Sequence, residues 1–190
     1  MSPWMSEAEL ALLSSFLRCS NHYLEFGSGG STVLAADLVG YSVVSVDSSA
    51  IWLQKVYDTC ATMRTSIRPD LLLADIGKTV EWGYPKNSRR REWWPIYHTD
   101  VWSLVAATDV DTCLIDGRFR VACCMQALLR TQPGTVVLIH DFANRAEYHV
   151  VHEFAREIAR VELLSAFHRR LNFDAETATA CLVEHLYDPR

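Results

Sequence analysis

Short apolar runs alternate with longer stretches of mixed polarity along the whole chain. Ser6 and Glu9 are spaced as a capping box, which predicts a first helix over about residues 7–18. Apolar runs then predict a strand at 22–26 (HYLEF), a helix from about 31 to 39 and a strand at 42–47 (SVVSVD). Leu53, Val56, Tyr57 and Cys60 fall at helical spacing, and a strand follows at Leu71–Ala74. Residues 77–97 (GKTVEWGYPKNSRRREWWPIY) show no regular period, and a short helix is predicted from about 99 to 107. "TCLID" and "TVVLIHD" each read as a strand leading into a helix. The first helix carries Val121, Cys124, Met125 and Leu128 on one face, the second Val151, Phe154, Ala155 and Ile158. The last part, VELLSAF to TATACLVEHL, reads as two strands joined by the turn-rich RRLNFDAE.

Alternating strands and helices predict a parallel sheet with right-handed crossovers. Strands that are apolar throughout fit burial on both faces. The final pair is joined too briefly for a helical crossover and is expected to be antiparallel. The fold class expected is α/β: a doubly wound, mostly parallel, seven-stranded, Rossmann-like sheet with a C-terminal antiparallel hairpin. The 190 residues are expected to form one domain.

Composition narrows the function classes only slightly. Hydrophobic residues make up 49% and charged residues 22%, an ordinary globular balance, and the net charge of -5 argues against general nucleic-acid binding. No run approaches the length of a membrane span, and the opening MSPWMSEAELALLSSF carries acids rather than a basic cluster, unlike a secretory signal. Six cysteines lack paired zinc spacing and read as reduced core thiols, so a cytoplasmic location is expected.

The most informative stretch is YLEFGSGGSTVLAA, Tyr23 to Ala36. Glu25 ends an apolar strand, and Gly27, Gly29 and Gly30 follow at its carboxyl end. Ligands of such sheets bind there, where glycine lets them approach bare main chain. Asp47, with Ser48 beside it, ends the next strand, where a carboxylate accepts hydrogen bonds from ribose hydroxyls. A dinucleotide fingerprint wants Gly or Ala at the position of Thr32, and a pyrophosphate has no use for Glu25. An amino group does, through a direct or water-mediated bond.

Glu25-Phe26-Gly27-Ser28-Gly29 resembles the first motif of the class I S-adenosylmethionine (SAM)-dependent methyltransferases. Ser31 stands where many members of that family have another glycine. The resemblance, over about residues 20–186, implies that Asp47 holds the ribose and that Asp75 with Ile76 grips the adenine. It implies that Asp116 and Gly117 lie near the methyl donor. DIGKTVEWGYP and LIDGRFRVAC also resemble a small bacterial group of methyltransferase-like proteins.

Methyl transfer needs in-line positioning and a nucleophile in the right protonation state. His140 and Asp141 are the candidate bases. Arg118 and Arg120 are candidates for gripping an anionic acceptor, and Trp82 of the long loop for stacking on a planar one. Some O-methyltransferases hold Mg²⁺ through acids at these strand ends, which makes Asp116, Asp141 and Asn144 candidate ligands. The adjacent Asp-Asn pair of the catechol-type enzymes is not present, however. The expected function is transfer of a methyl group from SAM to an O or N atom of a small acceptor. A SAM- or nucleotide-binding module without transferase activity is the alternative, and an NAD-dependent oxidoreductase ranks third. Recognition of the acceptor is left to the first helix, the 77–97 loop, the arginine-bearing strand ends or a second subunit, as in a homodimer.

Overall fold

The computed structural model describes residues 1–190. Its centre is a seven-stranded sheet of β1 (His22–Phe26), β2 (Ser42–Asp47), β3 (Asp70–Leu73), β4 (Thr112–Ile115), β5 (Val136–Ile139), β6 (Ala155–Val161) and β7 (Leu164–Arg169). The spatial order is β3-β2-β1-β4-β5-β7-β6, and only the β5–β7 and β7–β6 pairs are antiparallel. The order reverses between β1 and β4, whose registered pairs include Glu25 with Leu114 and Phe26 with Ile115. A crevice beyond the strand ends follows from that reversal.

Helices α1 (Glu7–Leu17), α2 (Gly30–Leu38), α3 (Ala50–Met63), α4 (Ile96–Thr99), α5 (Arg120–Arg130) and α6 (Ala175–His185) surround the sheet. The predicted capping box is formed: Ser6 accepts from the Glu9 amide, and Glu9 accepts from the Ser6 amide. On α3 the buried side chains are Leu53, Val56 and Cys60, three of the four expected from spacing; Tyr57 is exposed at the edge of the stripe. α5 is buried along most of its length. Its position between the sheet and α6 explains why its apolar face is wider than one stripe. No helix is long and apolar enough to cross a membrane.

The structure corrects the reading of the last third of the chain. The predicted helix through Val151, Phe154, Ala155 and Ile158 is a 3-10 segment, Ala146–Glu153, followed by strand β6. The antiparallel hairpin is therefore β6–β7, turning at Glu162 and Leu163, with Glu162 at φ 49. TATACLVEHL, read as a strand, lies in α6, where Asp174 caps the first turn and Ala178 and Cys181 are buried. Apolar residues at helical spacing in β6 coincide with an edge strand whose pairing with β7 is interrupted by a bulge at Glu157–Ala159. The helix predicted at 99–107 is also shorter: α4 runs directly into a 3-10 turn at Asp100–Ser103.

The long loop is better ordered than its sequence implies. Thr79 bridges Pro85 in antiparallel fashion, Lys86 N donates to Lys78 O at 2.8 Å, and Val80 N donates to Tyr84 O at 2.8 Å. Residues 78–86 thus form a small hairpin, with Trp82 and Gly83 both at positive φ at its tip.

Candidate cofactor and acceptor site

The glycine corner is built from below by Glu25, which is fully buried. Its carboxylate accepts from the hydroxyls of Ser31 and Thr32 and from Ser45 Oγ at 3.0 Å. Thr32 Oγ1 in turn accepts from Gly29 N at 2.8 Å. The chain from Glu25 through Thr32 to the main chain fixes the turn. The Ser31 departure and the Thr32 position, odd as fingerprints, are explained by these two hydroxyls. Burial pushes the Glu25 carboxyl up to about 7, against the pull of the three hydroxyls. The bond from Glu25 to a ligand amino group, expected to be direct or water-mediated, is corrected: this acid is fully buried and its oxygens are taken up by hydroxyls of the turn and of Ser45.

The glycines also have a different use from the one expected. Gly27 sits at φ 101, and a Cβ there would lie 2.6 Å from the Cα of Gly117. A Cβ on Gly117 would collide with the Tyr97 hydroxyl. Two strand-end turns, after β1 and β4, thus meet backbone to backbone, and only glycine permits both sides of that contact.

At the end of β2, Asp47 accepts from Ser28 N at 3.2 Å and Ser49 N at 2.8 Å. Burial raises its carboxyl to about 6, while those amides and the Arg118 charge work the other way. Ser28 is buried, with its Oγ 2.7 Å from Ser45 Oγ. Ser48 lies under the tip of the small hairpin, beside Gly83. At the end of β3, Ile76 is buried in the core, whereas Asp75 is exposed and pairs with Arg90 at 2.6 Å. Two clefts of about 440 and 450 Å³ flank that pair. Leu73, Trp93 and Ile96 give the first cleft apolar walls suited to a planar base.

The ends of β4 and β5 carry a dense ionic cluster. Arg120 is buried, and its guanidinium donates to the carbonyls of Gly117 (3.0 Å), Asp116 (3.0 Å) and His140. Its Nη2 also pairs with Asp116 Oδ1 at 3.3 Å and Asp141 Oδ2 at 3.2 Å. Every nitrogen of Arg120 is engaged inside the protein, so its expected role of gripping substrate is corrected to that of a bracket joining two strand ends. His140 Nδ1 lies 3.0 Å from Asp116 Oδ1, and its Nε2 is 3.5 Å from Glu9 of α1. Burial opposes its protonation, but Asp116, Asp141 and Glu9 outweigh burial and raise its pKa. An imidazole held among three carboxylates favours the cation and is poorly disposed to act as a base. Asp141, at φ 58, also pairs with Arg145 at 3.5 Å.

Asp116, His140 and Asp141 bring their ligand atoms within 4.8 Å of one another, but they do not fit a Mg²⁺ site. The buried Arg120 guanidinium already pairs with both acids, and displacing it would strand three carbonyls. Asn144 is exposed.

Arg145 and Tyr148 were not singled out from the sequence, whereas Tyr84 belongs to the aromatics of the 77–97 loop expected to stack beside cations. Tyr84 lies over the Arg118 guanidinium at 4.1 Å from its ring centroid, and Tyr148 lies beneath Arg120 and Arg145. Ser2 and Pro3 pack on Gly30, and Trp4 meets Trp82 edge-on at 5.7 Å, so the first residues and the small hairpin together cover the glycine corner. Trp82 itself is 69% exposed. Arg145 stands at the end of the stretch IHDFANR, while Tyr148 fell in a region misread as helix.

The order of the strands, the antiparallel β7 and the glycine corner at the β1–β4 reversal form one pattern. A methyltransferase-like protein from Silicibacter pomeroyi shares that architecture with a TM-score of 0.89 and 29% sequence identity, over 99% of this chain and 98% of that one. This is the class I SAM-dependent methyltransferase fold. Other solved structures with the methyltransferase fold include an O-methyltransferase from Bacillus cereus in complex with S-adenosylhomocysteine (SAH). It gives a TM-score of 0.59 and 14% identity over 87% of this chain and 82% of that one. An rRNA methylase from Streptococcus thermophilus gives 0.56 and 12% over 87% and 98%. No protein-family sequence model matches the chain, and no curated protein matches it in sequence.

Proposed function

We propose that the protein is a SAM-dependent methyltransferase acting on an O or N atom of a small acceptor. One observation carries the reading: Asp47, Asp75 and Asp116 lie at the ends of three strands around a glycine corner, in a fold shared with a methyltransferase-like protein over almost the whole chain. In this reading Asp47 holds the ribose hydroxyls, the cleft walled by Leu73, Trp93 and Ile96 takes the adenine, and Gly27, Ser28 and Gly29 pass beneath the methionine portion. Asp75, Ile76, Asp116 and Gly117 shape the cleft around it. Glu25 supports the turn from below.

His140 and Asp141 are held in ion pairs, so their proposed contribution is to fix the β5 end rather than to remove a proton. Acceleration then comes chiefly from in-line placement of the acceptor against the sulfonium. SAM supplies the activated methyl group and the leaving thioether. The second reading, a SAM-binding module without turnover, is favoured by the same engaged bases. Parallel calorimetric titration with SAM, SAH and NAD tests the cofactor: selective binding of the first two is expected, and selective NAD binding sinks the proposal. Release of SAH on addition of acceptors separates the enzyme from the module.

A further inference from the structure

Three guanidiniums and two tyrosines meet at the β4 and β5 ends, and Arg120 alone among the arginines is fully engaged. Arg118 is only 5% exposed, yet its Nε and Nη1 have no hydrogen-bond partner. Arg145 keeps Asp141 at 3.5 Å through Nη2, but its Nε is buried without a partner. The hydroxyl of Tyr148, a residue 1% exposed, is likewise unpartnered. The Tyr148 ring lies 5.6 Å from the Arg120 guanidinium and 5.9 Å from that of Arg145. Burial pushes its phenol up, while the charges of Arg120, Arg145 and Arg118 pull it back. Tyr84 of the small hairpin covers Arg118 from the other side. Buried donors without acceptors are costly, and these belong to residues linked through Tyr84 and Tyr148 at the β4 and β5 ends.

We propose that Arg118, Arg145 and Tyr148 form an oxyanion pocket for a carboxylate or phosphate carried by the methyl acceptor, roofed by Tyr84. The inference rests on the methyltransferase reading for the word acceptor, but the pocket itself rests only on the orphaned donors. An oxyanion provides acceptors to all four orphaned atoms at once, which a neutral acceptor does not. Arg120 stays out of the pocket because its charge is already matched by Asp116 and Asp141.

The test uses the full chain and titrates benzoate and phenyl phosphate against the neutral benzyl alcohol, with and without saturating SAH. At least one anion is expected to bind about tenfold or more tighter than benzyl alcohol. Arg145→Gln, at a partly exposed position, is expected to remove about tenfold of that preference, and Tyr148→Phe about threefold, with SAH affinity unchanged in both. Arg145→Lys should restore part of the preference. Equal binding of charged and neutral probes, no binding of any, or a preference insensitive to Arg145→Gln overturns the pocket. Displacement of the anion by SAH also overturns it, because the cations then serve the carboxylate of the cofactor. Failure of SAH to bind at all would instead strike the methyltransferase reading and leave the anion result to be read by itself.

Discussion

The two halves of the crevice solve opposite problems. On the β1–β3 side, acids are placed under hydroxyls and main-chain amides: Glu25 under Ser31, Thr32 and Ser45, Asp47 under Ser28 and Ser49. On the β4–β5 side, acids are paired with arginine and histidine, and donor nitrogens of Arg118 and Arg145 remain without partners. The first half is largely uncharged scaffolding, with Asp47 near the crevice and the Asp75–Arg90 pair at its exposed edge. The second is an ionic lattice with surplus donors. Neutral donors hold a turn in one shape without fixing a charge, whereas surplus buried cations call for a charged partner.

The sharpest break between the two halves should come from two neighbouring arginines. Arg120→Met leaves Asp116 and Asp141 without their buried cation and should cost about 3–5 kcal/mol in urea unfolding. Arg118→Met removes donors that already lack partners and should change stability by less than about 1 kcal/mol. Equal losses would erase the distinction between bracket and pocket.

On the scaffold side, a carboxyl whose folded pKa is raised binds its proton more tightly in the folded protein. The contribution of Glu25 is thus complete below its ordinary 4.5 and is lost as the pH climbs to about 7. Glu25→Gln should remove roughly 3 kcal/mol of pH dependence over that range, read from unfolding at several pH values. Asp47 and His140, also raised, contribute slopes of the same sign and should survive in the variant.

Smaller effects are expected at the exposed ends of the same rim. Asp47→Asn should weaken SAH binding about 10–100-fold near neutral pH. The difference should narrow below about pH 6, where the native carboxyl takes up its proton. Asp75→Asn, at a side chain 62% exposed and already paired with Arg90, should weaken it by less than about threefold. The smallest effect concerns the ionic half: Mg²⁺ or EDTA should move the thermal midpoint by less than about 1 °C, because Arg120 holds the acids. A clear Mg²⁺-dependent rise would refute that bracket.

Much of the fold was legible because it is written locally. The capping box at Ser6 and Glu9, the stripe of α3 and the strands β1 and β2 depend on neighbours a few residues apart. The last third was misread because β6 exists only through pairing with β7, and α6 is set by what α5 leaves uncovered. Site residues divide in the same way. Asp47 and the glycine corner were visible from spacing, but the packing of Tyr84 on Arg118 and of Tyr148 on Arg120 joins separate parts of the chain.

The sequence by itself determined the alternation of strands and helices, the glycine turn at the first strand end and which acids stand at strand ends. Those features follow from local periodicity and from the backbone freedom of glycine. Only the tertiary structure decided what each charge is for. The same residue type is a bracket at Arg120 and an unpartnered donor at Arg118, two positions apart. Charge is long-ranged and satisfied across elements, so its role depends on which strand ends the fold brings together.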